Sequence, residues 1–142
     1  MEDLEQRVWQ RVKGHQEPEN SDLKQLAMES QQAAAEYRNL LRSKLESHRE
    51  FGRQLLKAEQ ENLAALKGLY FLQTGNAMRL PMESGMHWDT KKMVRRYHMS
   101  RRTLAEYMAR SAEPEWGCVY LAMAKRQEQQ CDRLAQLLGH MR

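Results

Sequence analysis

Four long stretches of this chain repeat their apolar residues every three or four positions, and this spacing limits the possible folds more than any other feature. It places apolar side chains along one face of an α-helix. It predicts helices over residues 22–45, 49–73, 89–112 and 115–138. The 142 residues include only three prolines and few of the β-branched residues that a sheet core needs. The sequence therefore predicts a single all-α domain over residues 1–142.

The segments that flank these helices predict how the helices begin and end. Residues 1–13, with Leu4, Val8 and Trp9 at helical spacing, predict a short helix docked on the main body, and residues 14–21 predict a linker. The boundary near residues 47 and 48 has neither glycine nor proline, so one continuous helix over 22–74 is an alternative. Gly75 suits the end of the second helix, and Gly139 suits the end of the fourth.

Residues 75–88 form the longest predicted connection between helices. An extended segment of about 13 residues reaches about 43–47 Å, whereas a helix of about 25 residues is about 37 Å long. This connection can therefore return along the whole bundle. The chain is then two helical hairpins, 22–74 and 89–140, joined by one long crossover.

A weak internal repeat fits two related hairpins. Tyr37 precedes Glu59 by 22 residues, and Tyr107 precedes Glu128 by 21. Each half then has a tyrosine on its first helix and a glutamate in the middle of its second. Coincidence in helices rich in glutamate is the alternative explanation.

Residues 58–75, with the sequence AEQENLAALKGLYFLQTG, carry a family resemblance. They resemble the second helix of bacterial rubrerythrin-like proteins, in which a Glu-x-x-His pair is followed by Leu-Tyr-Phe-Leu and then Thr-Gly. The opening VWQRV at residues 8–12 resembles the short leader helix of small members of that group. The resemblance implies a ferritin-like four-helix bundle with a long crossover and, from the habit of the family, a homodimer.

The resemblance also implies where a di-iron centre would lie. In that family, two Glu-x-x-His pairs and one glutamate from each of the other two helices bind two iron ions. The matching positions hold Glu59 and Asn62 on the second helix, Glu128 and Cys131 on the fourth, and Ser30 and Ser100 on the first and third, with Glu29 beside Ser30. Independently of the resemblance, apolar spacing on the fourth helix places five residues on the inward face: Leu121, Ala124, Leu134, Ala135 and Leu138.

Two iron ions need about six or more oxygen or nitrogen ligands, and this set supplies too few. We therefore expect no functional di-iron pair and no cofactor, and interpret the chain as a degenerate bundle with a structural or interaction role. Hydrogen-bonded Glu59 and Glu128 would then form a polar remnant. Two alternatives stay open: a single zinc or iron ion held by Glu59, Glu128 and Cys131, and an enzyme that retains rubrerythrin-like peroxide or ferrous iron chemistry.

The charge pattern adds a third alternative. The net charge of +4 is mild and does not by itself favour a nucleic-acid partner. Lys91, Arg95, His98 and Arg102 nevertheless share one face of the third helix. This is either a solvated helix face or a surface that binds anions or nucleic acid.

The cysteines and the absence of long apolar runs bear on location. Cys118 and Cys131 form no Cys-x-x-Cys pair and no disulfide framework. No apolar run approaches the roughly 20 residues that span a bilayer, and no signal peptide opens the chain. We therefore expect a cytoplasmic protein with no membrane partner, and the mild net charge leads us to expect no nucleic-acid partner either.

Overall fold

A computed structural model describes residues 22–81 and 89–140, and these residues form four α-helices and no strand. Helix α1 covers residues 22–40, α2 covers Glu46–Thr74, α3 covers Thr90–Arg110 and α4 covers Gly117–His140. The prediction of an all-α chain is confirmed. The predicted helix over 1–13, the linker over 14–21 and the second half of the crossover lie outside the described residues.

The chain breaks between α1 and α2, so the alternative of one continuous helix is wrong. Residues 41–43 turn through backbone hydrogen bonds of 3.1–3.2 Å that each span three residues. The guanidinium of Arg49 donates to the carbonyl oxygen of Ser43 at 2.7 Å, which satisfies a carbonyl group that the turn leaves free. This hydrogen bond thus stabilises a helix break at a boundary that has neither glycine nor proline.

The other helix ends follow from local chemistry. Gly75 adopts a φ of 75°, which favours glycine, and its N–H donates to the carbonyl of Phe71 at 2.7 Å. Asp89 caps α3 by accepting a hydrogen bond from the backbone N–H of Lys92 at 2.8 Å. The prediction that Gly139 ends α4 is wrong, because the helix continues to His140.

Two apolar clusters, each drawn from all four helices, form the core. Cluster 1 contains Leu23, Ala27, Leu66, Leu69, Tyr70, Tyr107, Tyr120, Met123 and Ala124. Cluster 2 contains Ala33, Tyr37, Leu40, Leu55, Met93, Leu134 and Leu137. Because every helix contributes to both clusters, the four helices pack as one bundle.

The two clusters also reveal the direction of each helix. Helix α1 runs from Leu23 in cluster 1 to Leu40 in cluster 2, and α4 runs the same way. Helix α2 runs from Leu55 in cluster 2 to Leu69 in cluster 1, and α3 runs with it. The end of α2 and the start of α3 therefore lie at opposite ends of the bundle.

The predicted inward face of α4 is confirmed at Ala124 and Leu134 and is wrong at three other positions. Leu121 and Ala135 are exposed and Leu138 is only half-buried. The buried face instead carries Tyr120, Met123, Ala124, Gln127, Gln130, Cys131, Leu134 and Leu137. Two stripes of similar spacing run along α4, and burial of the larger Tyr120 and Met123 selects the second one.

With this correction the two hairpins match in register. Ser30 and Tyr37 on α1 lie 70 residues before Ser100 and Tyr107 on α3, and all four are buried. Buried positions of α2 and α4 correspond with an offset of 68 residues, namely 55 with 123, 59 with 127, 62 with 130, 66 with 134 and 69 with 137. The internal repeat therefore pairs Glu59 with Gln127 rather than with Glu128.

Candidate functional site

A buried polar layer lies between the two apolar clusters and is the candidate site. It contains Ser30, Glu36, Glu59, Asn62, Arg96, Ser100, Gln127, Gln130 and Cys131. Buried polar groups are costly unless they are hydrogen-bonded. Each of these groups therefore needs a hydrogen-bond partner inside the bundle.

Two pairs of residues on α2 and α4 face the middle of the bundle. Glu59 and Asn62 are 2% and 0% exposed, and Gln127 and Gln130 are 3% and 0% exposed. Each pair is separated by three positions, which places both members on one helix face. The layer is thus supplied by one carboxyl group and three carboxamides.

Glu128 does not belong to this layer, contrary to the sequence prediction. Its side chain lies on the exposed side of α4, whereas Glu59 is buried. Cys131 is buried as predicted, but its thiol lies 3.3 Å from the hydroxyl oxygen of Ser100. Glu59, Glu128 and Cys131 are therefore not brought together, and the single-metal ligand set is not assembled.

The half of the layer around Gln127 is well hydrogen-bonded. The Gln127 amide donates to the Ser100 hydroxyl at 2.7 Å, and its carbonyl accepts from the Asn62 amide at 3.2 Å. The oxygen of Asn62 accepts from Arg126 at 2.7 Å. These bonds tie α2, α3 and α4 together at the same level.

The half around Glu59 is incompletely bonded. The hydroxyl of Tyr37 donates to Oε1 of the Gln130 side chain at 3.1 Å. Four buried atoms find no partner in the described residues: Ser30 Oγ, Glu59 Oε2, Tyr107 OH and Gln130 Nε2. Three of these are donors and the fourth is the carboxyl oxygen.

Burial controls the charge state of Glu59. Loss of water raises the pKa of its carboxyl group, and the nearby donors Ser30 and Gln130 oppose this without reaching full hydrogen-bond geometry. Burial likewise raises the pKa of the Cys131 thiol. Both groups are shifted toward the neutral form, which is the poorer form for binding a metal ion.

Within this layer, a buried ion-pair cluster joins α1 and α3. Arg96, 3% exposed, bonds to Glu36 through its Nε and to Glu29 through an Nη atom at 2.7 Å. Burial raises the pKa of Glu36, and the charge of Arg96 opposes that rise. Glu29 is therefore directed toward α3, and not to the place of a metal ligand.

The donor set does not fit the pair of iron ions that the family resemblance implies. The pairs that would supply two glutamates and two histidines supply one glutamate, and the other two helices supply Ser30 and Ser100. Across the described residues there is no group of three or more histidine, cysteine, aspartate or glutamate side chains that could hold a metal. Amides and hydroxyls that bond to one another are poor iron ligands.

The sequence prediction found five of the nine residues of the layer and missed four. Glu59, Asn62, Ser30, Ser100 and Cys131 were predicted at the centre and are buried there. Gln127, Gln130, Glu36 and Arg96 were missed. A signal for the first two exists: Met123, Gln127, Gln130 and Leu134 are spaced by four, three and four residues.

Comparisons with protein-family models, with curated proteins and with solved structures give no match. In the described residues, no helix combines the length and the apolar character that crossing a membrane requires.

Proposed function

We propose that this chain is a degenerate ferritin-like bundle, similar to rubrerythrin-like proteins, that has no di-iron centre and acts as a structural or interaction protein. The observation that carries this proposal is the composition of the inward-facing pairs. One carboxyl group and three carboxamides occupy the positions where a di-iron bundle needs carboxylates and imidazoles. The homodimer that the resemblance implies and the cytoplasmic location expected from the sequence belong to the same proposal.

The helix directions support the ferritin-like part of the proposal. Helices α1 and α4 run one way and α2 and α3 the other. In a simple up-down bundle, consecutive helices would alternate in direction. One long crossover between the second and third helices gives the observed order.

The decisive experiment is metal analysis of the purified protein after growth in iron-supplemented medium. We expect far less than one iron per chain, because the centre lacks ligands. A variant that restores carboxylates and imidazoles, with S30E, N62H, S100E, Q127E and Q130H, serves as the matched comparison. It should gain iron if the bundle geometry is ferritin-like. Two irons per chain in the unchanged protein would refute the proposal and favour a metal-dependent oxidoreductase.

A further inference from the structure

Helix α3 carries far more positive than negative charge. Between Thr90 and Arg110 it has seven lysines and arginines and a single acidic residue, Glu106. A solvated helix face usually mixes the two signs. The positive charges of α3 therefore need carboxylates from other helices, or from a partner, to balance them.

The carboxylates around α3 are engaged by two arginines of the helix. Arg96 pairs with Glu29 and Glu36. Arg110 pairs with Glu106 at 2.8 Å and with Asp22 at 3.3 Å. Two arginines against four carboxylates leave two negative charges over, and these offset only part of the five lysines and arginines that remain on α3. A surplus of positive charge therefore remains on the helix.

Three of the remaining cations, Lys91, Arg95 and Arg102, lie in one line with His98, and we call these four residues the basic face. Lys92 and Arg101 lie outside this line. All four residues of the basic face are exposed, and none forms an ion pair with a carboxylate in the described part of the chain. Their spacing of four, three and four residues keeps them in one line along α3. The line is about 16 Å long at 1.5 Å per residue.

We propose that the basic face binds the phosphate backbone of nucleic acid, a proposal that rests on the proposed role as an interaction protein and names its partner. Phosphates repeat about every 3.4 Å of axis along each duplex strand, so the line spans roughly five of them. Arginine also presents a planar fork that matches phosphate geometry.

The composition of the face favours nucleic acid over an anionic membrane. A helix that binds a membrane surface needs a broad apolar side to insert beside its cations. On α3 the exposed large apolar side chains are Val94 at 40% and Met108 at 51%, which lie 14 positions apart, whereas Met93 and Tyr107 are fully buried in the clusters. Two separated side chains do not make a broad apolar side. Attraction would therefore come from charge alone, as in sequence-independent phosphate binding.

The experiment measures binding of a fluorescent DNA duplex by anisotropy at two salt concentrations. The test variant is K91Q/R95Q/R102Q. The matched control is K57Q/K67Q/K125Q, which removes the same charge from exposed positions on α2 and α4. If Lys91, Arg95 and Arg102 each contact one phosphate, raising the salt concentration fourfold should weaken binding of the unchanged protein by about 40-fold. The test variant should lose at least about tenfold in affinity and most of that salt dependence.

Each other outcome overturns the inference. Equal losses in the two variants would indicate a response to net charge rather than to this face. Binding to phosphatidylserine vesicles without binding to the duplex would assign the face to membranes, and no binding at all would leave it a solvated face. Metal content is measured separately, so an iron-free protein that ignores the duplex would refute only this inference.

Discussion

At the scale of single residues, the two buried tyrosines of the matched hairpins differ in their hydrogen bonding. Tyr37 donates to Gln130, but the equivalent Tyr107 hydroxyl has no partner in the described residues. The residue that matches Gln130 in the first hairpin is Asn62, which is one methylene shorter and bonds to Gln127 and Arg126 instead. The shorter side chain of Asn62 thus gives Tyr107 no counterpart to the bond between Tyr37 and Gln130.

We predict opposite outcomes for removing the two hydroxyls. Y37F should lower the free energy of unfolding by about 1–2 kcal/mol, because it leaves the Gln130 carbonyl without its donor. Y107F should leave stability unchanged or raise it by up to about 1 kcal/mol, because it removes a buried group that lacks a partner. Urea denaturation followed by circular dichroism measures both. Equal losses in the two variants would contradict the asymmetry described for the layer.

At the scale of elements, the closest approach of α1 and α2 depends on Gly52. A Cβ atom added at this residue would lie 2.8 Å from the Cβ of Leu40 and 3.3 Å from the backbone oxygen of Tyr37. Because Leu40 is itself fully packed in cluster 2, it has little room to move. The glycine therefore sets the spacing between the two helices of the first hairpin.

We predict that G52A destabilises the protein by about 1–2 kcal/mol, since the cost of overpacking exceeds the gain in helix propensity. Gly68 in the same helix is the control, because an added Cβ there meets nothing within 4 Å. G68A should instead stabilise the protein by about 0.5–1 kcal/mol. Thermal denaturation of the two variants tests this, and stabilisation by G52A would show that α1 and α2 lie further apart than described.

The elements also show how far the sequence could predict the site. The family resemblance predicts Ser30 and Ser100, and both lie on the apolar stripes of α1 and α3. On α4, Leu121, Ala135 and Leu138 offered a second stripe, and the choice depended on tertiary packing of Tyr120 and Met123 that local spacing does not encode. The ion pairs of Arg96 join residues 60 and 67 positions apart, so no local pattern indicates them.

At the scale of the whole molecule, the buried carboxyl groups make stability depend on pH. Burial raises the pKa of Glu59 above its ordinary value of 4.5, so the folded chain holds this proton more tightly than the unfolded chain does. The contribution of Glu59 to stability is therefore fully present below that value and is lost as the pH rises through the raised pKa. Glu36 contributes in the same direction.

We predict that E59Q and the unchanged protein have nearly equal free energies of unfolding at a pH below 4.5, where the carboxyl is neutral in both states. Above it, E59Q should become the more stable of the two, because the amide carries no charge to bury. Urea titrations across this range measure the difference. A difference that stays constant with pH would show that Glu59 is not desolvated as described.

The matched registers of the two hairpins have a consequence for ancestry. A layer to which two halves contribute equivalent positions is one that two copies of a single hairpin could also form across a twofold axis. The acid at position 59 and the amide at position 127 then occupy equivalent places. Exchanging them, as E59Q with Q127E, would move the acidic group to the other half of the molecule while keeping the same set of side chains. In such a chain, the polar residues of one hairpin can change while the equivalent residues of the other hairpin keep the bundle packed.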